Sequence, residues 1–234
     1  MFDDKRNFTA GDMPGPVQVR GMRLGLPVCE DIWTSDVIEC LAESGAQMII
    51  SLNASPFDLM KSDARISHAV SRVHESELPL VYVNMVGGQD ELVFDGGSFA
   101  IDAQGELSVS AQTFIEAFPI VTVDRSSDAR LAPGDTVAER EDLDAVWQAL
   151  VLGMRDYVDK NGFPGVVLGL SGGIDSAVTL AVAVDALSHE RVEAVMMPFR
   201  YTASMSVEDA EAEAQALGVR FSNLSIEPLY EAFM

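Results

Sequence analysis

The sequence predicts an α/β protein in two parts, and three observations carry that prediction. Short apolar runs alternate with segments of helical spacing in both halves of the chain. A hairpin pattern, Phe99 to Asp102 and Leu107 to Val109 around Gln104-Gly105, gives the first part an antiparallel component. Between the parts lies a polar stretch, 125–142, with Pro133-Gly134 in its middle. The expected division is therefore residues 1–124, a linker at 125–142, and residues 143–234.

In order, the stretch to Pro16 is turn-rich. Met22 to Val28 then reads as a strand that delivers Cys29. Ser35 is a suitable N-cap for a helix through about Glu43, which Gly45 stops. Gln47 to Leu52 is an apolar strand that runs into the loop Asn53-Ala54-Ser55-Pro56-Phe57. A longer helix follows from Leu59 to about Glu75. Leu80 to Val86 is a further strand ending in Gly87-Gly88. After the hairpin, Ile120 to Val123 closes the first part as another strand.

Beyond the linker, Leu143 to about Asn161 has helical spacing, with Val146, Leu150, Met154 and Val158 on one face. The strand Val166 to Leu168 leads into Ser171-Gly172-Gly173-Ile174-Asp175-Ser176 and a helix expected from Ala177 to about Leu187. Val192 to Met197 is a strand. Ser206-Val207-Glu208-Asp209 has the form of a capping box, opening a helix that Gly218 ends. Val219 to Leu224 is a third strand. Strand–helix alternation at this spacing predicts a parallel, doubly wound sheet.

Composition narrows the function classes. The chain has 234 residues, 48% of them hydrophobic, enough for a core. No stretch approaches the roughly 20 apolar residues of a membrane span, and the N-terminus lacks a signal-peptide pattern. No membrane association and a cytoplasmic location are expected. A net charge of −22 argues against a surface for nucleic acid, so none is expected as a partner. Two cysteines, Cys29 and Cys40, are too few for a disulfide framework or a cysteine-rich zinc site.

Two constellations carry chemistry. The segment Gly169-Leu170-Ser171-Gly172-Gly173-Ile174-Asp175-Ser176 puts small residues and outward N–H groups at a helix start. That is what a phosphate needs: donors, no Cβ in the way, and the positive helix end behind them. It is neither a Walker A loop nor the dinucleotide G-x-G-x-x-G pattern. It resembles the PP-loop of the ATP pyrophosphatase superfamily. The second constellation is Cys29, at the end of an apolar strand and before a helix. That position suits a nucleophile, because the turn exposes sulfur and the following N–H groups can face an oxyanion. A small buried hydrophobe suits it equally, and spacing alone leaves both readings open. Glu30 and Asp31 disfavour a thiolate here, so a nucleophile would need a cation and a base from elsewhere. Cys40, inside an apolar helix, reads as packing.

Taken together, the two constellations carry a resemblance that covers essentially the whole chain. Cys29-Glu30-Asp31-Ile32-Trp33, Asn53-Ala54-Ser55-Pro56, and the run from Asn84-Met85-Val86-Gly87-Gly88 through Phe94-Asp95-Gly96-Gly97-Ser98 resemble the nitrilase-type glutaminase domain of the glutamine-dependent NAD+ synthetase family. Gly169 to Ser176, with Met197-Pro198-Phe199-Arg200-Tyr201-Thr202, resembles the synthetase domain of the same family. The fold this implies is the C-terminal part of a nitrilase-like αββα sandwich, then the first half of a Rossmann-like parallel sheet of the adenine nucleotide alpha hydrolase type.

The resemblance also implies roles. A Glu–Lys–Cys triad would release ammonia from glutamine, with Cys29 as nucleophile and the Glu30 N–H at the oxyanion. Ser55 and Lys61 match positions that hold glutamine. ATP would adenylate deamido-NAD+, with Gly169 to Ser176 and Met197 holding the nucleotide and Asp175 holding Mg2+. Ammonia would then displace AMP to give NAD+. Phe2 to Phe8 resembles a segment that follows the triad Lys in the family. The triad Glu and Lys would then precede residue 1, leaving Lys5 a solvated charge and the chain a piece cut at both ends. On that reading the piece itself is inactive, or keeps only weak ATP–Mg2+ binding, while the parent enzyme is a homo-oligomer. Another PP-loop ligase or a tRNA-modifying thiolase is the rival. Acidity weighs against tRNA, and the nitrilase-like half against both. His68, His74 and His189 are expected on the surface, Trp33 and Trp147 in packing, and Glu208 to Glu213 on a solvated helix face.

Overall fold

The computed structural model describes residues 6–9, 11–125 and 129–234. The chain folds as two compact units, Met1–Val86 with Phe94–Glu139, and Gly87–Val93 with Arg140–Met234. Most of the Phe2 to Phe8 segment, Lys5 included, lies outside the described residues.

The first unit is built on a six-stranded sheet in the order β1-β2-β3-β4-β7-β8. β1 (Val17–Val19) pairs antiparallel with β2 (Met22–Gly25); β2, β3 (Met48–Asn53) and β4 (Leu80–Asn84) run parallel. β5 (Val86–Gln89) and β6 (Leu92–Asp95) form a separate two-stranded hairpin. β7 (Phe99–Ile101) and β8 (Leu107–Ser110) complete the sheet antiparallel, as the hairpin pattern predicts. The period of two explains the layers. Ile49, Leu80 and Tyr82 face α1 (Asp36–Glu43) and α2 (Lys61–Ser76), forming a core with Ile38, Leu41 and Val73. Met48, Ile50 and Val81 face the other way, toward Val109, Val123 and Leu131.

On the helix side the alternation continues past the apolar residues into polar ones. Ser51, Asn53 and Asn84 are all buried there. Buried polar groups at the carboxyl ends of parallel strands mark where a site is built.

Several expectations change in detail. β4 ends at Asn84, and Val86 belongs to β5. The strand expected from Ile120 is only β9 (Val123–Asp124), paired with β10 (Arg130–Leu131). The polar stretch after 124 is bound to the first unit over part of its length: Leu131 is buried, and the Gly134 N–H donates to Ser108 O at 2.9 Å. Val137 N–H likewise donates to Ser110 Oγ at 2.7 Å.

The second unit has a parallel sheet, β11 (Val166–Gly169), β12 (Val192–Met196) and β13 (Arg220–Asn223), in that order. α3 (Asp142–Lys160) and α4 (Ile174–Leu187) share its core with α5 (Ser204–Leu217) through Val151, Val158, Leu180, Ala194, Ala210 and Ala214. α6 (Glu227–Phe233) closes the described chain.

Three corrections concern phase and caps. Leu150 is 49% exposed, and Val151 and Leu152 are buried instead. The reason is that α3 buries two faces: one meets α4, and the other meets residues 87–93. There Gly88 backs onto Gly153, the Gly88 N–H donates to Asp156 Oδ2 at 2.7 Å, and Lys160 Nζ donates to Gly88 O at 2.6 Å. α4 starts at Ile174, three residues earlier than expected, with Gly173 as its N-cap. α5 starts at Ser204 with Ala203 at the N-cap, so Ser206 lies inside the helix and is not a cap.

Candidate functional site

The first unit gathers its candidate residues at the ends of β2, β3 and β4. Past β2 the chain stays extended, with Val28 bridging Leu52, and then breaks sharply. Cys29 takes φ of 48°, left-handed backbone that a residue with a Cβ seldom adopts. It opens the 3₁₀ turn Cys29–Ile32, which buried Ile32 anchors in the core. Asp31 staples the break: its Oδ2 accepts the Val28 N–H at 2.8 Å, and its own N–H donates to Val28 O at 3.1 Å. One of the two carboxylates beside Cys29 is thus a backbone cap. The turn that carries Cys29 and Glu30 is fixed at both ends of the break. Cys29 is half-buried and in no disulfide. Cys40, also half-buried, directs its thiol at Pro14 O, 3.9 Å away.

A cavity of about 170 Å³ opens among Ile32, Ser55, Lys61, Arg65, His68 and Tyr82. Ser55 and Lys61, both read from the sequence, line it. Its wall is held by a buried ion pair that sequence reasoning missed. Arg65 and Asp95 are each 8% exposed, and their side chains meet in two bonds, Nη1 to Oδ2 at 2.8 Å and Nη2 to Oδ1 at 2.9 Å. The same guanidinium donates from Nε to Ser55 Oγ at 3.1 Å, and from Nη2 to Ser55 O at 2.8 Å and Pro56 O at 3.0 Å. Asn84 completes the grip, accepting the Ser55 N–H at 2.9 Å through Oδ1. Burial holds the Tyr82 phenol above its ordinary value of 10; a Ser55 hydrogen bond and the Arg65 charge oppose this, while the nearby Cys29 and Asp95 add to the rise.

Trp33, expected in packing, is 42% exposed and lines the cavity; its ring stacks on His68 with centroids 6.3 Å apart. His68 is exposed, as expected of a surface residue, yet stands at that opening. Trp147 does pack, donating from Nε1 to Asp185 at 2.9 Å. His74 and His189 are exposed. Of the acidic run, Glu208, Asp209 and Glu211 are exposed, while partial burial raises the Glu213 carboxyl above its ordinary value.

The second unit holds the glycine loop, which leaves β11 and enters α4. Leu170 is buried, and its N–H donates to Val195 O at 2.9 Å, continuing the parallel ladder. Ser171 and Ser176 knit the loop: their hydroxyls lie 2.9 Å apart, and the Ser176 hydroxyl donates to Gly173 O at 2.9 Å. Gly172 has φ of 75°, and a Cβ there would lie 2.2 Å from Ser206 O in α5. The loop therefore presses on the next helix and is held open. Ser171, Gly173, Ile174 and Asp175 are exposed at the helix N-terminus, where the first N–H groups lack partners in the helix and favour an anion. Met197, just past β12, lies against Gly169, its Cε 3.4 Å from where a Cβ would sit. Arg200, in the segment after it, pairs with Glu227 of α6 and lies over the Phe199 and Tyr230 rings.

Among the described residues no group of three or more His, Cys, Asp or Glu side chains forms a metal cage. Asp175 suits a different arrangement, in which a hard cation binds one carboxylate and the oxygens of a bound phosphate. No helix among the described residues is long and apolar enough to cross a membrane.

Residues 2–132 match the carbon-nitrogen hydrolase family model, and residues 146–234 match that of NAD synthase. The chain is 44% identical over 228 residues to the glutamine-dependent NAD(+) synthetase of Rhodobacter capsulatus, covering 97% of this chain and 41% of that protein. It is 40% identical over 239 residues to that of Acinetobacter baylyi, covering 100% and 43%. The structure of the Acinetobacter baumannii glutamine-dependent NAD+ synthetase in complex with ADP superposes with a TM-score of 0.92 at 41% identity, over 100% of this chain and 44% of that one. A structure of the Cytophaga hutchinsonii enzyme shares the fold at 20% identity, with a TM-score of 0.73 over 93% of this chain and 41% of that one. The chain thus spans less than half the length of the relatives it matches.

Proposed function

Because the chain belongs to the carbon-nitrogen hydrolase family, with an NAD synthase segment behind it, we propose that it forms part of an enzyme that performs glutamine-dependent NAD+ synthesis. One observation supports this most: a cysteine in strained, left-handed backbone stands near Tyr82, which lines a small cavity together with Ser55 and Lys61, in one chain with a glycine loop suited to phosphate.

In the parent enzyme, Cys29 Sγ attacks the glutamine carboxamide carbon, and its proton passes to the glutamate that the family resemblance places in the Glu–Lys–Cys triad. Charge develops on the carbonyl oxygen, and the Glu30 N–H stabilises it. The triad glutamate returns the proton to the amide nitrogen, so ammonia leaves as the thioester to Cys29 forms; water then hydrolyses the thioester to glutamate and restores the thiol. Lys61 supplies positive charge for the substrate's α-carboxylate, and Ser55 a hydroxyl. In the second unit, the nicotinate carboxylate of deamido-NAD+ attacks the α-phosphorus of ATP and pyrophosphate departs. Gly169 to Ser176 receive its charge with backbone N–H groups, and Met197 gives the nucleotide an apolar contact. Mg2+, when bound beside Asp175, neutralises phosphate charge. Ammonia attacks the acyl-adenylate and AMP leaves, giving NAD+.

The glutamine half is tested by alkylating Cys29 with iodoacetamide and reading the modified peptide by mass spectrometry, which separates it from Cys40. Glutamine at ten times its dissociation constant is expected to slow the Cys29 reaction about tenfold. Asparagine, one methylene shorter, is expected to protect less at equal concentration. Alkylation of Cys29 indifferent to glutamine would remove this half of the proposal.

A further inference from the structure

We propose that Arg65, fixed by Asp95, is the positioning residue that aims the Ser55 hydroxyl into the cavity beside Cys29 for an acceptor oxygen of the substrate. This rests on the glutamine reading above and adds to it a role for Arg65, which lies outside the motifs that point there, and for its partner Asp95.

A guanidinium donates and never accepts, so Ser55 Oγ must accept the Arg65 Nε–H at 3.1 Å. The single hydroxyl hydrogen of Ser55 is thereby turned away from Arg65. The backbone of Ser55 is gripped as well. Its carbonyl takes Arg65 Nη2 at 2.8 Å and Asn84 Nδ2 at 3.3 Å, and its N–H goes to Asn84 Oδ1 at 2.9 Å. The direction that remains is toward the cavity that Ser55 and Tyr82 both line. Ser55 Oγ accepts from Arg65, so the Ser55 hydroxyl hydrogen is left to donate. A carboxylate or amide oxygen is its natural acceptor, and glutamine carries both.

The role of Asp95 follows from the geometry of its contact. Its two oxygens take Nη1 and Nη2, which fixes the plane of the guanidinium and so the direction of Nε. Lysine offers one point charge on a flexible stem and cannot reproduce that fork.

The test uses glutamine protection of Cys29, with each variant normalised to its own unprotected alkylation rate. Arg65→Lys is expected to raise the half-protecting glutamine concentration about tenfold or more. Because Arg65 acts through Ser55, the same change made in a Ser55→Ala background is expected to add little. A loss of packing alone would instead add in full, and full additivity would overturn the proposal, as would unchanged protection in Arg65→Lys. If near-ultraviolet circular dichroism shows Arg65→Lys unfolded, Asp95→Asn takes its place with the same expected shift and the same dependence on Ser55. Failure of the glutamine reading is seen separately, since the unsubstituted chain would then show no protection and the positioning role would fall with it.

Discussion

Replacing Gly172 with alanine is expected to destabilise the second unit by about 3 kcal/mol and to abolish the nucleotide binding proposed for it. Two costs combine. The φ of 75° at Gly172 is unfavourable for an L side chain by about 1–2 kcal/mol. The added Cβ would also lie 2.2 Å from Ser206 O and 2.8 Å from Ser206 C and Cα. Those are backbone atoms inside α5, so no rotamer change relieves the clash, and overpacking of this kind adds about 1–3 kcal/mol. Either the glycine loop or the first turn of α5 has to move, and the loop's outward N–H groups move with it. Gly173→Ala is the internal control. Its φ is −101°, and its nearest neighbour is the flexible Ser171 hydroxyl at 3.4 Å. A cost within about 1 kcal/mol is expected there. Urea unfolding of the two variants checks the contrast, and equal midpoints would contradict it.

Asp95→Ala is expected to cost the first unit about 3–5 kcal/mol, because it leaves the Arg65 guanidinium buried and unpaired. The ion pair itself contributes little net stability, since removing both charges from water is expensive. The prediction therefore has a second arm. Arg65→Met combined with Asp95→Leu removes the charge problem and keeps apolar volume, so the double variant is expected to lie closer to the unsubstituted chain than Asp95→Ala does. Denaturant midpoints followed by Trp33 fluorescence report this directly. A double variant weaker than the single one would mean that the specific bonds to Ser55 and Pro56 outweigh the burial of charge.

What the sequence made legible was local. Cys29 after an apolar strand and Ser-Gly-Gly-x-Asp-Ser between a strand and a helix are each complete within about ten residues, although β2 stops at Gly25 and α4 already starts at Ile174. Ser55 and Lys61, assigned by resemblance, line one cavity. The errors share a cause, which is that a neighbour in space decided the outcome. Ile174 to Ser176 were read as loop because of the glycines before them, yet they form the first turn of α4, with Gly173 as the cap. Ser206 looked like a cap, but its carbonyl is what Gly172 packs against, inside α5. The stripe through Leu150 missed because α3 buries a second face against Gly88, which lies far away in sequence.

The Arg65–Asp95 pair is the clearest case of what could not be read. The two residues are 30 apart, on a helix and at the end of a hairpin strand, and only the tertiary fold brings them together. A partial signal did exist, since Arg65 falls four residues after Lys61 and so on the same face of α2. It gave no hint of the partner, because a lone arginine on a polar helix is ordinarily solvated.

The account's central claim is that one chain carries a nucleotide site at the start of α4 alongside the cysteine site. Calorimetric titration of the chain with ATP and Mg2+, with Asp175→Ala alongside, tests it most directly. Binding of one ATP per chain, weakened by the substitution about tenfold or more if the metal is held there, is the predicted result. Binding that Asp175→Ala leaves unchanged would put the nucleotide elsewhere and contradict the assignment of the loop.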